Sequence, residues 1–263
     1  MRLELSSTTL QERLANLVSD QLLKQAERLE VIQRQSEADP DSLLKGLDPE
    51  AATPFYLQFL HQRFPTIANK SLAERHHRLW KWFDSIELYF RVPPRVEIWA
   101  RGGAKSSTVE LGVCYIACKL TRRYVLYVSE TQDQADKHVA SIGSLLEDIG
   151  LDRSVNKYGS SKGWRRNQLR AANGFNVEAL GLDTAARGIK LDEFRPDLII
   201  FDDIDNREDN RKATEKKIRA ITNSILPSGS SDCCSLFIQN LIIEDGVFAR
   251  LVNNRADFLL DRE

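Results

Sequence analysis

Val96-Glu97-Ile98-Trp99-Ala100-Arg101-Gly102-Gly103-Ala104-Lys105-Ser106-Ser107-Thr108 reads as an apolar strand that enters a glycine turn and leaves it through Lys-Ser into a helix. Further along, Leu198-Ile199-Ile200-Phe201-Asp202-Asp203 is a run of four apolar residues ending in two carboxylates. The first stretch offers backbone N–H groups, an ammonium and a hydroxyl. The second offers carboxylates for metal and water chemistry. In this order they predict the two halves of a nucleotide phosphate site and make ATP hydrolysis the leading expectation.

Working outward, the texture is alternating strand and helix. Strands are expected at about 95–100, 124–129, 175–181, 197–202 and 235–239, and helices at about 105–120, 132–149, 208–225 and 244–254. Asn173-Gly174, between Gln168-Leu169-Arg170 and Phe175-Asn176-Val177, predicts a two-residue hairpin turn. Short apolar strands interleaved with amphipathic helices predict an α/β fold with a mostly parallel sheet covered on both faces. Ligands of such sheets sit at the carboxyl ends of the strands, where both stretches end.

Residues 1–92 read as a helical lead, with the core domain over 93–263. Thr9 with Glu12 forms a possible capping box, followed by Leu10, Leu14, Leu17, Val18, Leu22 and Leu29 at helical spacing. Asp39-Pro40 and Asp48-Pro49 each place a capping aspartate before a first-turn proline. Ser71 with Glu74 predicts a second capping box, opening a helix through Leu79, Trp80, Trp82, Phe83 and Ile86. Pro93-Pro94 ends the lead. The aromatic residues of that helix are expected to pack against the sheet rather than stack on a base.

The 263 residues, 42% hydrophobic and 29% charged, exclude a disordered or fibrous chain. Lys and Arg number 37 against 38 Asp and Glu, so any nucleic-acid contact must be local rather than a property of the whole surface. No stretch approaches bilayer-spanning length, and Met1-Arg2-Leu3-Glu4 opens no signal-like segment. Cys114, Cys118, Cys233 and Cys234 lack metal-ligand spacing and are expected to be reduced thiols.

The consensus G-x-x-x-x-G-K-[ST] is met only in part. Trp99 stands at its first glycine and Ala104 at its last, whereas Gly102, Gly103, Lys105 and Ser106 remain. Lys105 would reach the β- and γ-phosphates and Ser106 would hold Mg²⁺. Asp202 suits an outer-sphere magnesium role, and Asp203 sits where a general base would orient water toward the γ-phosphate. Two plainer readings use the same residues: a Gly-Gly turn with a solvated lysine, and a helix cap after a core strand, for which Asp205 is also available.

These segments resemble the large terminase subunit, the ATP-driven DNA-packaging motor of tailed bacteriophages. Ala100-Arg101-Gly102-Gly103-Ala104-Lys105-Ser106 is similar to that family's variant phosphate loop. Tyr127-Val128-Ser129-Glu130-Thr131-Gln132-Asp133-Gln134-Ala135 is similar to its motif after the next strand. Ala186-Arg187-Gly188, followed by Arg195-Pro196-Asp197 and the acidic strand, is the most specific likeness.

The resemblance implies a P-loop NTPase of the ASCE type, with a mostly parallel central sheet flanked by helices and an N-terminal helical lead. It implies ATP and Mg²⁺ as cofactors, bound by Gly102, Gly103, Ala104, Lys105, Ser106 and Ser107, with Ser106 and Asp202 toward the metal. Asp203 replaces the glutamate common among relatives. Arg101 is expected on the γ-phosphate in the same subunit, and Arg187 on a neighbouring subunit's ATP or on DNA. Gln239-Asn240 falls at the coupling position, where relatives often carry Ser or Thr.

The implied partners are double-stranded DNA, the portal protein, the small terminase subunit and further copies in a ring, in the host cytoplasm on a procapsid and away from membranes. The C-terminal nuclease domain usual in that family is expected to be absent from this chain. Other readings of the same residues are a helicase-like motor and a non-hydrolysing assembly module with a degenerate loop.

Lys162-Gly163-Trp164-Arg165-Arg166, with Arg170, is the densest basic patch and a candidate DNA-backbone contact, or equally a solvated hairpin. Lys212, Lys216, Lys217 and Arg219 alternate with acidic residues and read as a solvated helix. His76 and His77 lack metal-helix spacing and are given no functional role.

Overall fold

The computed structural model describes residues 43–156, 158, 160–184 and 194–253. The expected helices around Thr9–Leu29 and the Asp39-Pro40 start lie outside the described residues, as does the Ala186-Arg187-Gly188 loop. Among the described residues six strands form one sheet: β1 (Arg95–Ile98), β2 (Tyr124–Ser129), β3 (Gln168–Arg170), β4 (Asn176–Gly181), β5 (Leu198–Asp202) and β6 (Cys234–Gln239). Their spatial order is β1-β6-β5-β2-β4-β3. All neighbours are parallel except the β3–β4 hairpin. The principal helices are α1 (Phe55–Arg63), α2 (Glu74–Asp84), α3 (Lys105–Lys119), α4 (Gln132–Asp148), α5 (Arg211–Ala220) and α6 (Val247–Val252).

β2, β5 and β6 are buried along their whole length, which accounts for their mostly apolar sequences. Alternation then divides the core by face. Val125, Tyr127, Leu198, Ile200, Leu236 and Ile238 join a large cluster with α1, α2, α3 and α4. Leu126, Val128, Ile199, Phe201 and Phe237 face the other way, toward α5 and α6. The aromatic residues of α2 do pack into the large cluster: Trp80 is 1% and Phe83 0% exposed. α2 meets α3 at Gly112, where an added Cβ would fall 2.3 Å from the Phe83 ring, so only glycine admits this approach.

Several local expectations are corrected. Asp48-Pro49 starts no helix: Asp48 Oδ1 accepts the Glu50 N–H in a tight turn, and α1 begins after Pro54. Ser71 does not cap α2. The helix starts at Glu74, and the Ala73 N–H is taken by His76 Nδ1 at 3.0 Å. The hairpin loop has three residues, Ala172-Asn173-Gly174, since Ala171 N–H donates to the Phe175 carbonyl and Gly174 takes φ +86°. That is a turn followed by a left-handed residue, the commonest three-residue hairpin connection.

α5 begins at Arg211 rather than 208 because Asn210 caps it, accepting the Ala213 N–H at 3.0 Å. It then runs through a π turn, Ile221–Ile225. α6 begins at Val247 because its cap comes from elsewhere in the chain. Asp205 accepts the Val247 and Phe248 N–H groups at 2.8 and 3.0 Å.

The motif aspartate Asp197 has a structural task at the far end of the sheet. Its two oxygens accept the Arg123 and Tyr124 N–H groups at 2.7 and 2.8 Å, tying the start of β5 to that of β2. Beside it Arg122, 1% exposed, donates to the carbonyls of Thr121, Glu87, Phe90 and Asp232 and to Cys234 Sγ. No helix among the described residues is long and apolar enough to cross a membrane.

Candidate functional site

The parallel order sets the carboxyl ends of β1, β6 and β5 side by side. After β1 the chain turns through Trp99–Gly103, with Gly102 at φ +76° and Gly103 N–H donating to the Ala100 carbonyl. Ala104 then adopts φ +56°, ψ +31°, a left-handed conformation, and α3 starts at Lys105. The left-handed residue is the one where the consensus has glycine, because a Cβ is disfavoured there. Among the described residues no side chain caps α3. Its first N–H groups, from Lys105 to Ser107, therefore remain available to an anion.

Lys105 folds back across the mouth of the sheet. Its Nζ is 2.9 Å from Asp202 Oδ1, 2.7 Å from Asp203 Oδ2 and 3.3 Å from Ser106 Oγ. The Asp202 side chain is 0% exposed, that of Lys105 11% and that of Asp203 45%. Burial works to lower the Lys105 pKa, but Asp202 and then Asp203 outweigh it and hold the ammonium charged. Asp203 sits at φ +51°, an uncommon conformation for a non-glycine residue, at the turn where β5 ends.

Behind Asp202 the second carboxylate oxygen accepts the Tyr127 O–H at 2.8 Å. His138 of α4 lies 3.9 Å from the same oxygen through Nε2, and its Nδ1 is 2.8 Å from Glu110 Oε1. Burial would lower the His138 pKa, but the hydrogen bond to Glu110 and the charge of Asp202 raise it. Tyr127 is pushed well above the usual phenol range, first by burial and then by Asp202, and so stays an O–H donor.

α2 supports the glycine loop from outside. His76 Nδ1 accepts from Ala73, so Nε2 carries the hydrogen and donates to the Gly103 carbonyl at 3.1 Å. The imidazole packs edge-on against Trp99 at 4.9 Å, and the Arg75 guanidinium lies 5.5 Å above the same indole. Trp99 is 2% exposed and donates to Glu97 Oε2 at 2.8 Å. Composition gave no signal for His76, because the loop it holds is distant in sequence. Tyr127, His138 and Glu110 likewise share no local pattern and come together only in the fold.

The remaining candidates fall into separate places. Arg101 and Ser107 are exposed on the loop and the first turn of α3. Gln239, 0% exposed, accepts the Asp205 N–H at 2.9 Å through Oε1, and Asn240 follows it half-buried. Gln239 thus locks the end of β6 to the segment after β5, whose Asp205 caps α6. Of the basic patch, Arg166 is paired with Asp133 at 2.6 Å and Arg170 is half-buried on β3. Lys162 and Arg165 are exposed, whereas Trp164 is half-buried beneath the Arg153 guanidinium. Arg187 lies outside the described residues.

The donors present suit Mg²⁺. Ser106 Oγ and Asp202 Oδ1 are hard oxygen ligands that both converge on the Lys105 ammonium. Among the described residues no group of three His, Cys, Asp or Glu side chains could hold a metal alone.

No protein-family model matches the chain, and no curated protein matches it. Among solved structures it is similar to the N-terminal domain of the DNA packaging ATPase from bacteriophage phi29. The identity is 14%, the TM-score 0.43, and the match covers 70% of this chain and 87% of that one. A likeness of that strength leaves the function to be argued from the site.

Proposed function

We propose that the chain is a P-loop NTPase that hydrolyses ATP with Mg²⁺, and that it uses the energy to move double-stranded DNA during packaging into a viral capsid. One observation carries the ATPase reading: Lys105, at an uncapped helix start after a glycine turn, contacts both carboxylates that end β5. The insertion of β6 between β1 and β5 supports the ASCE assignment, in which one strand separates the two motif strands. The packaging role rests on the sequence resemblance to large terminases.

In this reading the α3 N–H groups and Lys105 bind the phosphates, and Ser106 and Asp202 hold Mg²⁺. The ion, once bound, offsets charge on the phosphate oxygens. Lys105 exchanges its carboxylate partners for phosphate oxygens, since one ammonium cannot serve all of them at short range. That exchange frees Asp203, half-exposed at the strand end, to accept a proton from the attacking water. Arg101 and Arg187 are the candidates to stabilise the charge that develops, Arg187 toward a neighbouring copy in a ring on the portal. Gln239 would carry the change at Asp203 through Asp205 to α6.

The test is Mg²⁺-dependent ATP turnover by the purified chain, compared with Lys105→Ala and Asp202→Ala. Turnover in the wild type and its loss in both variants is expected. Absence of both turnover and ATP binding at every protein concentration would overturn the reading.

A further inference from the structure

The carboxylate of Asp202 is divided between two environments. Oδ1 faces Lys105 at the mouth of the sheet, whereas Oδ2 is turned inward to a row of side chains from three elements. Tyr127 of β2 donates to Oδ2 at 2.8 Å. Its ring is stacked on His138 of α4, with centroids 5.0 Å apart and planes 25° from parallel. His138 in turn meets Glu110 Oε1 of α3 at 2.8 Å, and Ser141 donates to the other Glu110 oxygen at 2.7 Å. Because a carboxylate only accepts, the Glu110 contact places a hydrogen on His138 Nδ1 and fixes the ring's orientation.

Each member is hard to explain by packing alone. A phenylalanine at 127 would fill the same space in a fully buried strand, and the hydroxyl needs a partner to offset its desolvation. Glu110 is the sole carboxylate on a helix whose other residues from Thr108 to Cys118 are buried and mostly apolar. The three elements line these groups up behind one aspartate: Tyr127 meets its Oδ2 at 2.8 Å, His138 lies 3.9 Å from it, and Glu110 holds His138.

Resting on the ATPase reading above, we infer that Tyr127, His138 and Glu110 are positioning residues that hold Asp202 in the rotamer presenting Oδ1 to the nucleotide-bound Mg²⁺. Tyr127 is the hydrogen-bonded partner of Asp202, and His138, 3.9 Å from the same oxygen and held by Glu110, acts through its charge and its stacking on the Tyr127 ring. Loss of such outer partners of a metal-binding carboxylate commonly weakens metal binding by about 10- to 100-fold. The row acts on the metal, not on the phosphates, so its effect is confined to the Mg²⁺-dependent part of nucleotide affinity.

The experiment measures binding of a fluorescent ATP analogue to the full 263-residue chain, in EDTA and across a Mg²⁺ titration. The variants are Tyr127→Phe, His138→Gln and Glu110→Gln. Tyr127→Phe and His138→Gln are expected to raise the Mg²⁺ concentration for half-maximal effect by about tenfold, at the low end of that range. Affinity in EDTA should stay within about twofold of wild type, since the phosphate contacts of α3 are untouched. Glu110→Gln keeps the side-chain shape and an acceptor for His138 and should move the titration less, in the same direction. Should either of the first two variants fail to fold, it carries the test.

An unchanged Mg²⁺ titration in folded variants overturns the inference and leaves the ATPase reading standing. So does an equal loss of affinity with and without Mg²⁺, which would mark a merely structural role. A wild-type chain that binds no nucleotide overturns both.

Discussion

Removing the Lys105 ammonium should expose how much of the site is held by charge. Lys105 lies 2.9 Å from Asp202 Oδ1 and 2.7 Å from Asp203 Oδ2. In Lys105→Ala the Asp202 carboxylate, 0% exposed, would keep among the described residues the Tyr127 hydroxyl at 2.8 Å and His138 at 3.9 Å. Breaking a buried pair by deleting one partner costs about 3–5 kcal/mol, because a charge is left uncompensated. The surviving Tyr127 and His138 contacts place the cost near the lower limit, at about 3 kcal/mol. Asp203 adds little, since its half-exposed carboxylate is hydrated and its share is within about 1 kcal/mol.

Asp202→Asn keeps the shape, removes the charge and weakens two hydrogen bonds, for about 2 kcal/mol. The double variant leaves no orphaned carboxylate, so its loss should fall short of the sum by about 2 kcal/mol. Urea unfolding followed by circular dichroism and tryptophan fluorescence gives these values if both probes coincide. Additivity within about 0.5 kcal/mol would refute the coupling and the geometry behind it. The cycle needs no nucleotide, so it tests the site's construction apart from its proposed activity.

Further outcomes follow from other parts of the chain. Ala104→Gly should stabilise the protein by about 0.5–1 kcal/mol, because glycine relieves the left-handed strain at φ +56° but gains freedom in the unfolded chain; loss of stability in thermal unfolding would contradict it. Burial, which outweighs the two backbone hydrogen bonds, raises Asp197 to about 6, above its ordinary 3.8. A raised acid binds its proton more tightly when folded, so this contribution is full below about pH 4 and is lost as pH rises through 6. Wild type should lose about 3 kcal/mol relative to Asp197→Asn between pH 4 and 7, and a parallel pH dependence of the two would be the contrary result. Arg122→Lys should destabilise by about 3 kcal/mol or more, since one ammonium cannot serve the spread of carbonyls that the guanidinium bonds; a melting temperature near wild type would count against that account.

Much of the architecture was legible along the chain. β2, β5 and β6 announce themselves because strands buried on both faces are mostly apolar, and the helix starts at Lys105 and Gln132 follow from local turn chemistry. The errors sit where a cap or turn depends on something distant. Asp205 caps α6 from the segment after the neighbouring strand β5, and Asp48 closes its own turn instead of starting a helix. Asp197 stands in a local motif, yet its task at the amino end of β2 exists only through the pairing of β2 with β5.

What the sequence determined by itself is the pair: a glycine turn with Lys105-Ser106, and an apolar strand ending in Asp202-Asp203. Both are local patterns, set by strand periodicity and turn preference. Tertiary structure alone decided that Lys105 would touch both carboxylates, that His76 would hold the Gly103 carbonyl, and that Tyr127, His138 and Glu110 would meet behind Asp202. The reason is physical. Periodicity reports which face of an element is buried, whereas the order of strands in the sheet decides which buried faces meet.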